Sequence, residues 1–470
     1  MISSKLFHLL KALSPKETTH LRHFLQNPMF NKRTDVVLAL DFLTDQNNRP
    51  FGKEALFQYV YTSKKYAEKD LHLLSSRLFK LAEDFLALRN MMGEPILKKI
   101  HLAKAYRKLK QEKNFQVAVR DANQLLDKQP LRNAATLRQQ IDLEDEYYDY
   151  IASPKRQVRT NLQTWSDTFD AYVLASKLKQ ACLHLSRNTI NQEVYQIGLL
   201  EEVLHYIKEH PGTLKLPAVA VHYYCYMAIT NLENEAYFTQ LRQAIREYYH
   251  CFYPGEIRDI YLLAINFCIR RLNTGQQERY AKEAFELYRS SLEQGFLLED
   301  GIIPESTFSN IVSLALWMGE YRWTENFIES FRQNLKTEIR ATIVHFNLAK
   351  LRYQQKRPSE SLRHLATIQT KAPFLMLGAK TMQLKIYYEL DETNALDSLM
   401  ENMRIYLQRR KDLGYRKQNY ENLLYLCRKL IDLPAYDKAL AIKLKEEIEG
   451  AEILTEKEWL LKQLDAKAPS

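Results

Sequence analysis

Apolar residues recur every three or four positions along most of the chain, which is the spacing of one face of an α-helix. The clearest example runs from Glu68 to Met92, where the apolar positions are Leu71, Leu74, Leu78, Leu81, Phe85 and Leu88. A β-strand would instead alternate apolar and polar residues, and no such alternation is flanked by turn residues here. The pattern therefore predicts an almost entirely α-helical protein.

Capping residues and prolines mark where these helices begin and end. Ser14-Pro15-Lys16-Glu17 is a capping box with proline at the first helical position, and Asn27-Pro28 ends the helix that it opens. A further short helix is predicted from Phe51 to Tyr61. The break at Gly93-Glu94-Pro95 predicts a domain boundary. We expect a basic N-terminal helical domain at 1–92, helical pairs at 93–214, and a repeat array at 215–470.

Three segments of the C-terminal half share one spacing between an asparagine and the turn that follows it. Each asparagine stands nine residues before the turn position. The asparagines are Asn266, Asn310 and Asn347, and the turn positions are Gly275, Gly319 and Lys356. A helical unit that recurs after 44 and then 37 residues predicts an array of repeats, since each unit needs a neighbour to bury its apolar face.

Around these turns the chain resembles tetratricopeptide repeats. Trp317-Met318-Gly319-Glu320-Tyr321 matches the family's Gly-Asp/Glu-Tyr turn between two helices, and the second helix with its closing proline is matched by Ser361, Leu365, Ile368 and Pro373. The uneven spacing and the absence of the family's first-helix tryptophan make the units degenerate, over roughly 215–450. The resemblance implies a right-handed α-solenoid of antiparallel helix pairs, whose first helices line a concave groove for extended peptides.

That implied groove gives five residues a predicted role in binding a partner. Asn266, Asn310 and Asn347 occupy one repeat position, and Arg270 and Lys350 stand four and three residues beyond two of them. Such a wall suits an acidic peptide or a terminal carboxylate. The structural alternative is that each asparagine bonds a backbone group within the stack.

The net charge of +10 lies entirely in the N-terminal part of the chain. Residues 1–130 hold 23 Lys+Arg and 13 Asp+Glu, so the remaining residues are balanced. A basic domain attracts nucleic acid, an anionic surface or an acidic protein, although a solvated lysine-rich surface is the commoner explanation.

A second basic cluster is a candidate anion-binding patch. It comprises Arg409, Arg410, Lys411, Arg416 and Lys417, with Tyr406, Tyr415 and Tyr420 interleaved around Gly414. Aromatic rings beside cations stack bases and bind phosphates, whereas a basic helix C-terminus favoured by the helix dipole is the simpler explanation.

Signatures of catalysis are absent from the sequence. No Gly-rich phosphate loop, no G-x-G-x-x-G and no G-x-S-x-G occurs among the twelve glycines. His20 and His23 lack a third metal ligand at a useful spacing, and the five cysteines form no CxxC pair. We therefore expect no enzyme, no cofactor and no metal. The N-terminus lacks a signal peptide and no stretch is apolar enough to span a bilayer, which predicts a cytoplasmic protein.

Two functions remain open on these grounds. The first is a non-enzymatic adaptor or scaffold that binds a protein or peptide segment in the groove of the repeat array. The alternative is a nucleic-acid-associated regulator, similar to helix-turn-helix regulators with tetratricopeptide sensor domains, in which the basic N-terminal helices contact DNA or RNA. The charge distribution favours the second, and the absence of a recognisable recognition helix favours the first.

Overall fold

The computed structural model describes residues 4–45, 52–152, 160–191, 196–272, 277–410, 413–434 and 437–468. Helices account for 81% of these residues. The described residues contain no β-strand, and their single isolated bridge joins Glu299 to Ile302. The prediction of an all-α protein is confirmed. Among these same residues, no helix combines the length and the apolar character needed to cross a bilayer.

The chain divides into two compact units, of which the first comprises residues 1–181, 194–223 and 247–252. Its helices are α1 (Ser4–Ala12), α2 (Pro15–Gln26), α3 (Thr34–Thr44), α4 (Lys53–Val60), α5 (Glu68–Gly93), α6 (Pro95–Lys108), α7 (Glu112–Lys128), α8 (Ala134–Ala152), α9 (Leu162–Asn191), α10 (Leu200–Glu209) and α11 (Pro217–Thr230). Helices α9 and α11 continue into the second unit.

The second unit comprises residues 182–193, 224–246 and 253–470. Its helices are α12 (Glu235–Tyr248), which ends in the first unit, α13 (Pro254–Leu272), α14 (Gln277–Glu293), α15 (Glu305–Trp317), α16 (Tyr321–Phe331), α17 (Thr337–Gln354), α18 (Pro358–Ala366), α19 (Pro373–Glu389), α20 (Thr393–Arg409), α21 (Lys417–Asp432), α22 (Lys438–Gly450) and α23 (Lys457–Lys467).

The predicted start of α2 is present in atomic detail. The Ser14 side chain accepts a hydrogen bond from the Glu17 amide at 3.3 Å, and the Glu17 carboxylate accepts one from the Ser14 amide at 2.6 Å. Both amides belong to the first helical turn, where no backbone partner is in reach. The predicted break after α5 is also present, because α5 ends at Gly93 and α6 begins at Pro95. Helices α1 to α5 share one apolar core. The proposed division into three domains stays a prediction.

Among the described residues, the same left-handed turn joins four helix pairs whose two helices are separated by only three residues. The turn residue has a φ of 56° at Lys110, 77° at Gly319, 60° at Lys356 and 57° at Asp391. In each case the next amide donates to the carbonyl five positions earlier, as from Glu320 to Ala315, at 2.9 Å. This is the bond of a Schellman motif, which satisfies a carbonyl that the helix end leaves free. The turn expected at Gly275 lies outside the described residues.

The position five residues after each turn is buried. It is occupied by Phe115, Thr324, Ser361 and Leu396, of which the first three have no exposed surface. The Ser361 hydroxyl donates to the Ala349 carbonyl at 2.8 Å and so joins the two helices of its pair. At Ser361 the small side chain allows the second helix to cross close to the first, whereas Phe115 and Leu396 fill the same position of their pairs with larger side chains.

Successive first helices lie side by side in the second unit. Helix α17 packs against α15, α16, α18 and α19. Close approach of α17 and α19 depends on Gly378, since a Cβ atom there would lie 3.1 Å from the Phe346 ring. Packing of adjacent helix pairs, the coarse feature expected of a repeat array, is therefore confirmed.

We expect glycine to be more stable than other residues at both left-handed turns, those at Gly319 and Lys356. Gly319→Ala should lower the free energy of unfolding by about 1 kcal/mol, because a Cβ atom disfavours positive φ. No atom lies within 4 Å of that Cβ position, so backbone conformation alone sets the effect. Lys356→Gly should raise stability by about 0.5–1 kcal/mol for the same reason. Urea unfolding measures both, with Lys356→Arg as the control. Equal signs for the two changes would contradict this account.

Candidate partner-binding face

Three side chains occupy the same place in successive first helices. Ser313 of α15, Lys350 of α17 and Lys385 of α19 each stand six residues before the left-handed turn of their pair. The Lys350 ammonium donates to the Ser313 hydroxyl at 3.1 Å. Lys385 binds the carboxylate of Glu456 at 2.7 Å. We refer to Ser313, Lys350 and Lys385 as the lysine row.

Lys350 is held by neutral groups. Its ammonium lies 4.7 Å from the centre of the Phe346 ring, and the Ser313 hydroxyl that it contacts donates in turn to the Ser309 carbonyl at 2.8 Å. Among the described residues Lys350 forms no ion pair with a carboxylate. Burial lowers the pKa of Lys350 to about 8, against a smaller opposing effect of Glu456. The charged form is disfavoured because it leaves water without gaining a counter-ion.

Lys385 has the counter-ion that Lys350 lacks. Glu456 comes directly before α23 and has a left-handed φ of 59°. The Lys385 ammonium also lies 5.3 Å from the Tyr353 ring centre and 5.9 Å from that of Trp459. Glu389 accepts hydrogen bonds from the Tyr353 hydroxyl at 2.5 Å and from the Trp459 indole at 2.9 Å. The segment from Glu456 to Trp459 therefore contacts the lysine row at Lys385, and the carboxylate of Glu456 binds the Lys385 ammonium.

The three predicted asparagines do not share one environment. Asn347 has no exposed surface, and its amide donates to the Ile343 carbonyl at 2.9 Å and to the Ser309 hydroxyl at 3.2 Å. Asn266 and Asn310 are exposed. The expectation that all three line an accessible wall is therefore corrected at Asn347, which is enclosed between α15 and α17. A role in partner binding stays a prediction for Asn266 and Asn310.

The two predicted cations beside the asparagines differ in a similar way. Arg270 of α13 is exposed, whereas the next residue, Arg271, is buried and pairs with Glu233 and Glu235 at 3.3 Å each. Arg270 is thus available at the surface, and its role stays a prediction. Lys350 is the one predicted residue that the structure places in the lysine row.

The second basic cluster is partly assembled around the first turn of α19. Arg416 lies 5.1 Å from the centre of the Phe374 ring, and the Arg410 guanidinium donates to the Lys371 carbonyl at 3.3 Å. Arg410 also lies 5.4 Å from the Tyr406 ring centre. Two arginines of the predicted patch therefore face the same helix start.

The other members of this cluster are dispersed. Arg409 is exposed, and Lys417 pairs with Glu421 of its own helix at 3.6 Å. Lys411 lies outside the described residues. Anion binding by the cluster stays a prediction.

Sequence reasoning missed four residues of the face: Ser313, Tyr353, Lys385 and Glu456. The first and third share the turn-relative position of Lys350, so counting back from each turn would have found them. Glu456 is 71 residues from Lys385, and no local pattern links the two. Within the described part of the chain, no three histidine, cysteine, aspartate or glutamate side chains cluster as metal ligands would.

Removal of Asn347 tests its structural role. We expect Asn347→Ala to lower the free energy of unfolding by about 1–3 kcal/mol, because a buried hydrogen-bonding group is lost between two helices. Asn266→Ala is the matched control on an exposed position and should change stability by less than about 0.5 kcal/mol. Urea unfolding of both variants measures the difference. A negligible effect at Asn347 would show that its amide does not join α15 to α17.

Removal of the Lys350 charge should stabilise the protein at neutral pH. Its folded-state pKa of about 8 lies below the ordinary 10.5, so the folded state binds this proton less tightly than the unfolded state. Stability should therefore rise as pH increases from about 8 to 10.5. Lys350→Met should add on the order of 1–2 kcal/mol at pH 7 and little near pH 10.5. Urea unfolding across this range measures it. A gain that does not shrink with rising pH would contradict the explanation by charge.

A scan against protein-family models finds no match, and searches of curated proteins and of solved structures find none either.

Proposed function

We propose that this chain is a non-enzymatic adaptor or scaffold that binds an acidic segment of a partner protein on the face formed by α15, α17 and α19. One observation carries the proposal. Lys385 holds a carboxylate, that of Glu456, whereas Lys350 at the equivalent place one pair earlier is held by a hydroxyl. The chain's own segment thus provides an example of how an acidic ligand engages this row.

A carboxylate at Lys350 would compensate a charge that is poorly solvated. Partial burial without a counter-ion disfavours the ammonium, and a hydrogen-bonded carboxylate restores the lost stabilisation. The Ser313 hydroxyl lies beside the ammonium and offers a further polar group to the ligand. Asn310 on α15, with Asn266 and Arg270 on α13, is exposed and extends the proposed surface.

The resemblance to tetratricopeptide repeats supports the same use of the fold. In that family the first helices of successive pairs receive an extended peptide, and here α15, α17 and α19 pack in sequence order. The left-handed turns at Gly319, Lys356 and Asp391 repeat the relation between the two helices of a pair. We therefore propose a tetratricopeptide-like solenoid as the architecture. None of the five cysteines forms a disulfide and all are buried, which supports the proposed cytoplasmic location.

Binding to an array of short glutamate-rich peptides tests the function. We expect fluorescence anisotropy to show binding of acidic peptides and not of their glutamine counterparts, with an affinity that falls as salt screens the charges. Lys350→Gln should weaken binding about tenfold, equivalent to about 1.4 kcal/mol. Lys336→Gln, an exposed lysine at the start of the same helix, should change it less than about twofold.

Two results would overturn the proposal. One is that acidic and glutamine peptides bind alike. The other is that Lys336→Gln weakens binding as much as Lys350→Gln, because the effect would then reflect net charge and not the lysine row.

The nucleic-acid alternative rests on the charge of residues 1–130, which hold the whole net +10. Some of these cations are already paired, such as Lys53 with Glu68 and Lys99 with Asp121. Labelled DNA and RNA in the same assay separate the two functions. Binding with a steep salt dependence that Lys350→Gln leaves unchanged would favour the alternative.

A further inference from the structure

Two histidines face each other across one helix pair. His345 of α17 and His364 of α18 bring their Nδ1 atoms to 3.0 Å, the distance of a hydrogen bond. Their ring centres are 5.3 Å apart, which is about the largest separation that this distance between the nitrogens permits. The two Nδ1 atoms therefore lie nearly on the line that joins the two ring centres. Both side chains are partly exposed, and a proton from solvent reaches them.

This geometry requires a defined distribution of protons. A hydrogen bond between two imidazole nitrogens needs a proton on one Nδ1 and a lone pair on the other. In the neutral pair the donor ring is therefore the Nδ1–H tautomer, and the acceptor ring carries its proton on Nε2. The head-on arrangement also excludes a metal ion between the two nitrogens, because both lone pairs would have to turn towards a shared point beside the line that joins them.

Protonation affects this contact in two steps. The first proton can go to Nε2 of the donor ring, which leaves the Nδ1–H···Nδ1 bond intact and adds charge to the donor. The second proton can go only to the acceptor Nδ1, the atom that receives the bond. Two N–H groups on two cations would then point at each other, so the contact must break. Because the rings share a proton, the two protonation steps are properties of the pair and are not assigned to either histidine alone.

We propose that His345 and His364 form a pH-sensitive latch that joins α17 to α18 at neutral pH and opens when both imidazoles are protonated. The latch is one of several links in this pair, since Ser361 donates to the Ala349 carbonyl at 2.8 Å and Arg352 pairs with Glu360 at 3.3 Å. Double protonation therefore loosens the pair without unfolding the array.

The charges around the pair set the direction of the effect. Burial is the main cause that lowers the pKa of His364, and His345, Arg352 of α17 and Arg363 of α18 lower it further, while Glu360 of α18 opposes them. From α16, Glu325 pairs with Arg352. Since the folded-state pKa lies below the ordinary 6.5, the unfolded chain binds more protons in acid. The latch therefore contributes stability that is lost as pH falls below about 6.5.

Opening of the latch would act on α17, the helix that carries Lys350. Lys350 lies on α17, five residues after His345, and the register of α17 against α15 places its ammonium on Ser313. The latch itself does not depend on the proposed function, because it is argued from the contact of two side chains within one helix pair.

Hydrogen exchange of the full-length protein tests the latch. We expect backbone amides of α17 and α18 to lose about fivefold or more in protection between about pH 7.5 and pH 5, after correction for intrinsic exchange rates, as local opening becomes easier. His364→Asn is the decisive variant. Its side-chain amide takes the place of the Nδ1 edge of the ring and does not titrate. It donates from its nitrogen to a neutral His345 and, when turned over, accepts through its oxygen from the Nδ1–H of a protonated His345. This variant should keep its protection at both pH values.

His205→Asn, at an exposed position of α10, is the control and should retain the wild-type loss. Circular dichroism checks that each variant is folded. If His364→Asn does not fold, His345→Asn provides the reciprocal test. Equal protection of the wild-type α17–α18 pair at both pH values would overturn the proposal. So would an equal loss of protection in whichever asparagine variant folds.

Discussion

In the described part of the chain, a backbone hydrogen bond that reaches back five residues forms the short turn of four helix pairs, and the geometry of the candidate face depends on it. The bond forms only when the residue before its donor adopts a left-handed conformation, as at Gly319, Lys356 and Asp391. Only Gly319 does so without a steric penalty. Because each turn directs the second helix back along the first, side chains at a fixed distance before the turn recur at the same place in each pair. The lysine row is a consequence of that repetition.

Two polar residues of α17 that contact the same neighbouring helix differ in how far they are buried. Asn347 and Lys350 are three residues apart on α17, and both reach α15. The amide is neutral and is enclosed with its donor hydrogens bonded, although its oxygen has no hydrogen-bond partner among the described residues. The ammonium remains partly exposed because full enclosure of an unpaired charge is far more costly. The structural role of Asn347 and the proposed binding role of Lys350 therefore lie side by side on one helix.

The C-terminal segment connects the fold to the proposed function. Trp459, Leu460 and Leu464 are buried in the core of the last helices, so α23 is a stable part of the unit. The residue just before it, Glu456, places a carboxylate on Lys385, while the Trp459 indole donates to Glu389. One end of the lysine row is thereby occupied by the chain itself. The part of the row at Ser313 and Lys350 is the place where we propose that a ligand binds.

Local features of the sequence were sufficient for the all-α class, the bounds of α2 and α5, and the turns at Gly319 and Lys356. Helix periodicity, the Ser14–Glu17 capping box and glycine at a left-handed turn are all decided by interactions within a few residues. The equivalence of Asn310 and Asn347 in the repeat is likewise a matter of counting along the chain.

Tertiary structure decided what those equivalent positions do. Asn310 is exposed and Asn347 is buried, because Asn347 lies in the contact of α17 with α15, the first helix of the preceding pair. The contacts of Lys385 with Glu456 and of His345 with His364 likewise join residues that no local pattern associates. Local sequence sets the hydrogen bonds of a helix and its turn, whereas the surroundings of a side chain depend on packing between distant segments.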